Sequence, residues 1–191
     1  MYEVEVKVRA DHDAVRARLD AVGAEHTRRV EQVDTYYDAP HRDFAETDEA
    51  LRLRRETVRE ASGDDGHDGR EGRTETRVTY KGPLVEAASK TREEFETAVA
   101  DAGAVEGILA GLGFEPAATV EKERDCYAVD GYTVTVDAVA GVGEFVEVER
   151  EAAEADIEAA REGAYAVLRE LGLDPDDQIL TSYLGLLLEG Q

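Results

Sequence analysis

EVEVKV, residues 3–8, alternates charged and apolar side chains without a break. Successive side chains of a β-strand point to opposite faces, so the stretch reads as a strand. Glu3, Glu5 and Lys7 share one face, and Val4, Val6 and Val8 share the other. Two carboxylates at i and i+2 on one face repel each other. That face is either an ordinary solvated one or one whose charge is aimed at a ligand.

The same alternation recurs along the chain. Arg52 and Arg54 alternate with Leu51 and Leu53, and Glu147 and Glu149 with Val146 and Val148. Arg77, Thr79 and Lys81 share a face; so do Arg92, Glu94 and Glu96; so do Lys122 and Arg124; so do Thr133, Thr135 and Asp137. An antiparallel sheet with its polar face in water explains any one of these strands. It explains the set less well, because the signs are segregated by strand and exposed ion pairs contribute little. The alternative is a closed barrel with charged faces inward and helices over an apolar outside. Clustered carboxylates in such a lumen suit Mg²⁺ or Mn²⁺, which take oxygen ligands. Clustered Arg and Lys suit phosphate oxygens.

Around these strands the periodicity predicts one α+β domain over residues 1–191. Its eight mostly antiparallel strands lie at about 2–9, 27–37, 50–58, 74–82, 90–99, 117–129, 132–138 and 144–150, so the barrel strands occupy about 2–150. Helices are expected at 11–23 and 101–113, each ending near a glycine, and the C-terminal helices occupy about 152–190: one over 152–172 and a last one from about Pro175. Asp130-Gly131 predicts a hairpin turn. The polar, glycine-rich stretch 61–72 reads as a solvated hairpin tip. Residues 23–37 and 113–127 echo each other in Gly, Glu, Val-Glu and a final Tyr, which suggests two strand–helix–strand units.

The composition narrows the function. Forty-five Asp and Glu against 22 Lys and Arg give a net charge of −23, which argues against a nucleic-acid partner. Only four of the basic residues are lysines: Lys7, Lys81, Lys90 and Lys122. An acidic, lysine-poor chain resembles proteins of salt-loving organisms, where salt screens self-repulsion. With one cysteine, Cys126, no disulfide framework exists. No apolar run is long enough to span a membrane and no signal-peptide pattern is present, so a cytoplasmic location with no membrane partner is expected. None of the four histidines lies on a charged face; they are expected in loops or at the surface.

EVEVK resembles the Glu-x-Glu-x-Lys signature of the CYTH superfamily, the triphosphate tunnel metalloenzymes. DTYYD, ALRLR, TYKGP, TREEFE, EKERDCY, TVDAVAGVGEFVEVE and SYLGLL resemble, in order, blocks of its class IV adenylyl cyclase-like branch. The resemblance implies a closed eight-stranded antiparallel β-barrel, the triphosphate tunnel, with a charged lumen and helices packed outside. It implies that Glu3, Glu5, Asp137, Glu147 and Glu149 hold Mg²⁺ or Mn²⁺. Glu94 and Glu96 would hold a second metal or orient the cations. Lys7, Arg52, Arg54, Lys81, Arg92, Lys122 and Arg124 would hold the triphosphate, with Lys7, Lys81 and Arg124 catalytic. The expected substrate is a nucleoside triphosphate or another triphosphate. The leading expectation is an adenylate cyclase that converts ATP to 3′,5′-cyclic AMP and pyrophosphate. The alternatives are an inorganic or thiamine triphosphatase and a non-catalytic nucleotide or polyphosphate sensor. The resemblance also suggests a homodimer.

Overall fold

The computed structural model of the protein describes residues 2–59, 72–86 and 90–190. The expected hairpin tip at 61–72 lies outside the described residues except for Gly72. Eight strands run β1 (Tyr2–Arg9), β2 (Glu25–Asp38), β3 (Ala50–Arg59), β4 (Thr74–Glu86), β5 (Thr91–Val99), β6 (Glu115–Val129), β7 (Tyr132–Val139) and β8 (Gly143–Ala152). They close into an antiparallel barrel in the order β1-β5-β4-β3-β2-β6-β7-β8. Five helices accompany them: α1 (His12–Ala21), α2 (Phe44–Thr47), α3 (Ala102–Gly111), α4 (Ile157–Glu170) and α5 (Tyr183–Glu189).

The opening strand decides which face turns inward. Val4, Val6 and Val8 are 0%, 0% and 1% exposed, and they pack outside the barrel with Ala160, Ala164, Val167 and Leu168 of α4. Burying each valine stabilises the fold by about 1.5 kcal/mol or more. Glu3, Glu5 and Lys7 are left facing the lumen. The helix lies close because Gly163 has no side chain: a Cβ there would sit 1.8 Å from the Tyr132 hydroxyl. That hydroxyl donates to the Ala160 carbonyl at 3.0 Å.

The internal echo is a structural repeat. Each residue of α1 has its counterpart in α3 90 positions on. Asp11 caps α1 by accepting from the Ala14 N–H, and Asp101 caps α3 by accepting from Ala104. Both helices end in a glycine at positive φ, Gly23 at 71° and Gly113 at 86°. β2 then pairs with β6 about a centre at Gln32 opposite Lys122, which are themselves 90 apart. The barrel is therefore two strand–helix–three-strand halves related by a pseudo-twofold axis through that pair. The Asp130-Gly131 corner between β6 and β7 has φ of 49° and 79°, the two left-handed residues of the expected turn.

The chain departs from the periodicity at its C-terminal end. The helix expected over 152–172 starts at Ile157, because β8 runs to Ala152 and a single 3-10 turn, Glu154–Asp156, intervenes. Pro175 opens only a 3-10 turn, Pro175–Asp177. Ile179 then donates its N–H to the Lys7 carbonyl at 2.8 Å, so it lies along β1 and not on a helix. α5 begins at Tyr183, capped by the Ser182 side chain. His12 also departs from expectation: it is 6% exposed, with Nε2 3.3 Å from the Phe145 carbonyl. No described helix is long and apolar enough to cross a membrane.

Candidate functional site

The inward faces of the strands enclose a cavity of about 510 Å³. Among the described residues, ten cationic and ten carboxylate side chains line it, so these add nothing to the net charge of −23. All four lysines are among the ten cations. Every residue expected to hold metal or triphosphate lines the cavity except Asp137.

The cations are held in place by acids across the strands. On β2 and β3, Asp34 lies opposite Arg54 and accepts from its Nε and Nη2, both at 2.7 Å. Arg52 Nη1 stands 3.5 Å from the same carboxylate, and Arg52 Nη2 stands 3.8 Å from Glu94. Burial opposes the Asp34 charge, but Arg54 and Arg52 outweigh it and hold the carboxyl well below its usual range. On β6 and β7, Arg124 lies opposite Asp137 and donates from Nε at 2.7 Å and from Nη2 at 2.5 Å. Arg124 Nη2 also donates to Glu147. Lys81 bridges Glu3 at 3.0 Å and Glu94 at 2.7 Å. Arg77 and Thr79 both donate to Glu96, at 3.0 and 2.9 Å.

Asp137, expected as a metal ligand, stands behind the residues that line the cavity. It is fully buried, and its carboxylate is taken up by Arg124, by Lys122 at 3.8 Å and by the Tyr183 hydroxyl at 3.0 Å. In this arrangement its oxygens are engaged by two cations and a hydroxyl. Glu147 is likewise engaged, by Arg124 and by Lys7 at 3.9 Å. Burial raises its carboxyl, but Arg124, Lys122 and Lys7 prevail and keep it well below the usual range.

Glu149 stands in the opposite condition. It faces Glu5 directly across the β1–β8 pairing. Burial, with the charges of Glu3, Glu147 and Glu5 against the opposing pull of Arg124, pushes it up to about 7. Surplus negative charge on clustered carboxylates is the donor chemistry a hard divalent cation relieves, so Glu3, Glu5 and Glu149 fit a Mg²⁺ or Mn²⁺ ion. Among the described residues, no three His, Cys, Asp or Glu side chains yet converge as a preformed metal centre. At Lys122, burial and the neighbouring Arg124 push the ammonium down to about 8.

Several lumen residues went unassigned in the sequence reading. Asp34 shares its alternating face with Gln32 and Tyr36, which was the available signal. Tyr183 closes one end of the lumen with Tyr36, Val120, Val139 and Phe145, and its ring receives the Lys7 ammonium at 4.4 Å and Lys122 at 5.0 Å. α5 thus packs into the barrel end. Of the two tyrosines of DTYYD, Tyr36 lines the cavity, whereas Tyr37 packs outside with Leu53 and Leu109. Lys90, Asp48, Arg28 and Glu56 also line the cavity.

Comparison with known proteins agrees with this geometry. The CYTH domain matches residues 1–183. A Methanocaldococcus jannaschii protein named "putative adenylate cyclase" is 34% identical over 188 residues, 97% of this chain and 98% of that one. The solved structure of the PH1819 protein from Pyrococcus horikoshii OT3 is 37% identical, with a TM-score of 0.85 over 99% of each chain. A Vibrio parahaemolyticus structure, also named as a "putative adenylate cyclase", shares the fold at 24% identity, with a TM-score of 0.78 over 98% of each chain.

Proposed function

The chain belongs to the CYTH domain family, and from that premise we propose that it is a metal-dependent enzyme acting on a triphosphate inside the barrel, foremost as an adenylate cyclase. The observation that carries this reading is the fate of the lysines. A chain of 191 residues retains four, and all four end in one cavity beside Arg52, Arg54 and Arg124. A lumen with as many carboxylates as cations offers a bare polyphosphate little net attraction, so binding calls for a divalent cation as co-ligand.

Glu3, Glu5 and Glu149 would hold that cation, with Glu147 beside them. When bound it supplies Lewis-acid polarisation of phosphoryl oxygens and charge neutralisation. The protein's own groups do the rest. Arg54 and Arg124, locked by Asp34 and Asp137, present guanidinium groups that cannot swing away, and such preorganised donors stabilise charge developing on phosphoryl oxygens. Lys7 and Lys81 add mobile point charges, each exchanging a carboxylate partner for phosphate. In the cyclase reaction the ribose 3′-oxygen attacks the α-phosphorus in line and pyrophosphate leaves. The tyrosine rings and the Ala50 and Leu184 surfaces gather at the end of the cavity near α5, the less polar place for a nucleoside.

Hydrolysis of inorganic or thiamine triphosphate is the second reading. It is favoured by how little apolar surface the lumen offers a base. The test is the purified protein in molar KCl with Mn²⁺ or Mg²⁺, offered ATP, tripolyphosphate and thiamine triphosphate. Cyclic AMP supports the cyclase. Orthophosphate without cyclic AMP supports the hydrolase. Binding without turnover of any of the three refutes both and leaves a sensor.

A further inference from the structure

We propose that Lys90 and Arg92 form an anion subsite at one mouth of the cavity, latched by the Asp48 carboxylate until a phosphate group of the substrate displaces it. The inference rests on the triphosphate reading of the tunnel and adds to it a binding residue, Lys90, and a latch, Asp48.

Lys90 stands just before β5, and its N–H donates to the Glu5 carbonyl at 3.3 Å, so its backbone is tied to β1. Its side chain is 8% exposed, and its Nζ lies 3.2 Å from Asp48 Oδ2. Arg92 is 5% exposed and donates from Nη2 to the same oxygen at 2.6 Å. Arg92 Nη1 donates to the Asp48 main-chain carbonyl and, at 3.4 Å, to the Gly82 carbonyl. Asp48, Lys90 and Arg92 all line the cavity.

The three groups differ in how firmly they are placed. Both cations are buried, Arg92 on β5 and Lys90 on the residue just before it, whereas the Asp48 side chain is 42% exposed. Asp48 sits at the end of the four-residue α2 with φ of 53°, off the barrel wall. One carboxylate oxygen therefore balances two desolvated cations. Removing Asp48 takes away the carboxylate oxygen that both cations share and leaves a site in want of an anion. A phosphate group has more oxygens and more charge than the carboxylate and satisfies both cations separately. The proximity of Lys7 and Glu5 makes the subsite continuous with the tunnel. Its ligand is a phosphate group of a linear polyphosphate or of a nucleoside triphosphate. Asp48 holds the cations poised and competes with that group.

The test is calorimetric titration of inorganic tripolyphosphate into wild type, Asp48→Asn, Lys90→Gln and the double variant. It is run in molar KCl, once with EDTA and once with Mg²⁺. Asparagine tolerates the left-handed corner at position 48, and Asp48→Gly serves as a second charge-free variant there. Losing the competing carboxylate should tighten binding about tenfold, and losing Lys90 should weaken it about tenfold. The gain from Asp48→Asn should shrink to less than about threefold when Lys90 is already gone. Equal or weaker binding by both position-48 variants overturns the latch, as does a gain undiminished in the Lys90→Gln background. If wild type binds and none of the substitutions matters, the subsite falls and the triphosphate function stands. If none of the proteins binds tripolyphosphate in either buffer, both fall.

Discussion

Replacing Glu149 with Gln should make the metal-free protein more stable above neutral pH, although it removes a charge from a barrel held together by charge pairs. The folded-state carboxyl is pushed up to about 7 from an ordinary value near 4.5. The folded protein therefore holds this proton more tightly than the unfolded chain, and its stability falls as pH rises through that window and levels off above it. The full interval corresponds to roughly 3 kcal/mol against the charged form. Part of that belongs to the neighbouring Glu147, so about 2 kcal/mol is expected for Glu149 alone. For a chain of this length that is a rise of about 4–8 °C in Tm. The assay is thermal unfolding in molar KCl with EDTA at pH 5 and pH 8, wild type against Glu149→Gln. The variant should gain at pH 8 and differ little at pH 5. Added Mg²⁺ should raise the Tm of wild type at pH 8 much more than that of the variant. A variant less stable than wild type at pH 8, or a gain equal at both pH values, refutes the account of Glu149 as surplus charge awaiting a cation.

Glu147→Gln should lower turnover at least about a hundredfold, because it removes charge that fixes Arg124 and Lys7 beside the reacting phosphates. Steady-state assays on ATP and tripolyphosphate check it, and wild-type activity would contradict the role. Asp34→Asn should destabilise by about 3 kcal/mol, since it breaks a buried bidentate pair and leaves Arg54 and Arg52 uncompensated. The Asp34 carboxyl is held below its ordinary value, so this difference should be present above about pH 4 and shrink as pH falls further, as read by denaturant unfolding at pH 7 and pH 3. Dialysis from molar KCl to dilute buffer should lower the Tm by several degrees, because the net charge of −23 lies outside the balanced cavity and is screened only by salt. An unchanged Tm would remove the basis for the salt-loving reading.

The sequence made the barrel legible where the outside of a strand is covered. Val4, Val6, Val8, Val146 and Val148 are buried beneath α4 and alternate with lumen charges, so period two reports direction there. β2 lacks that contrast. Its outward Val33 is 36% exposed while its inward Val30 is fully buried beside Gln32 and Asp34, so hydropathy no longer distinguishes the faces and Asp34 passed unassigned. Lys90 opens the strand expected over 90–99 and shares the period-two face of Arg92, Glu94 and Glu96, so the signal was present at the edge of the pattern; the structure begins β5 one residue later, at Thr91. Asp137 shows another limit. Its residue type and spacing mark it as an inward acid, but only the structure shows Arg124 and Tyr183 occupying its oxygens. The C-terminal segment misled because apolar residues at helical spacing also occur in an extended strap. Ile179 pairs with β1 through its backbone.

The pseudo-twofold relation between the halves sharpens where a metal belongs. The cross-strand pair Asp34–Arg54 on β2 and β3 corresponds to Arg124–Asp137 on β6 and β7, with the signs exchanged. β2 and β6 are neighbours at the axis, so without the exchange two acids or two arginines would lie close together across that seam. With it, charges alternate around the wall from Arg54 through Asp34 and Arg124 to Asp137, and Arg52 and Lys122 add a second cation beside each of the two acids. The β1–β8 seam does not follow the rule. There Glu3 lies opposite Glu151 and Glu5 opposite Glu149, and only Lys7 opposite Glu147 pairs unlike charges. Like charges directly opposite on a sheet are destabilising. Carboxylates stacked at this seam, against a cation-rich wall at the other, are the charge that the divalent cation proposed above would relieve. On that proposal the repelling glutamates of the opening EVEVKV strand are half of the site, and β8 contributes the other half.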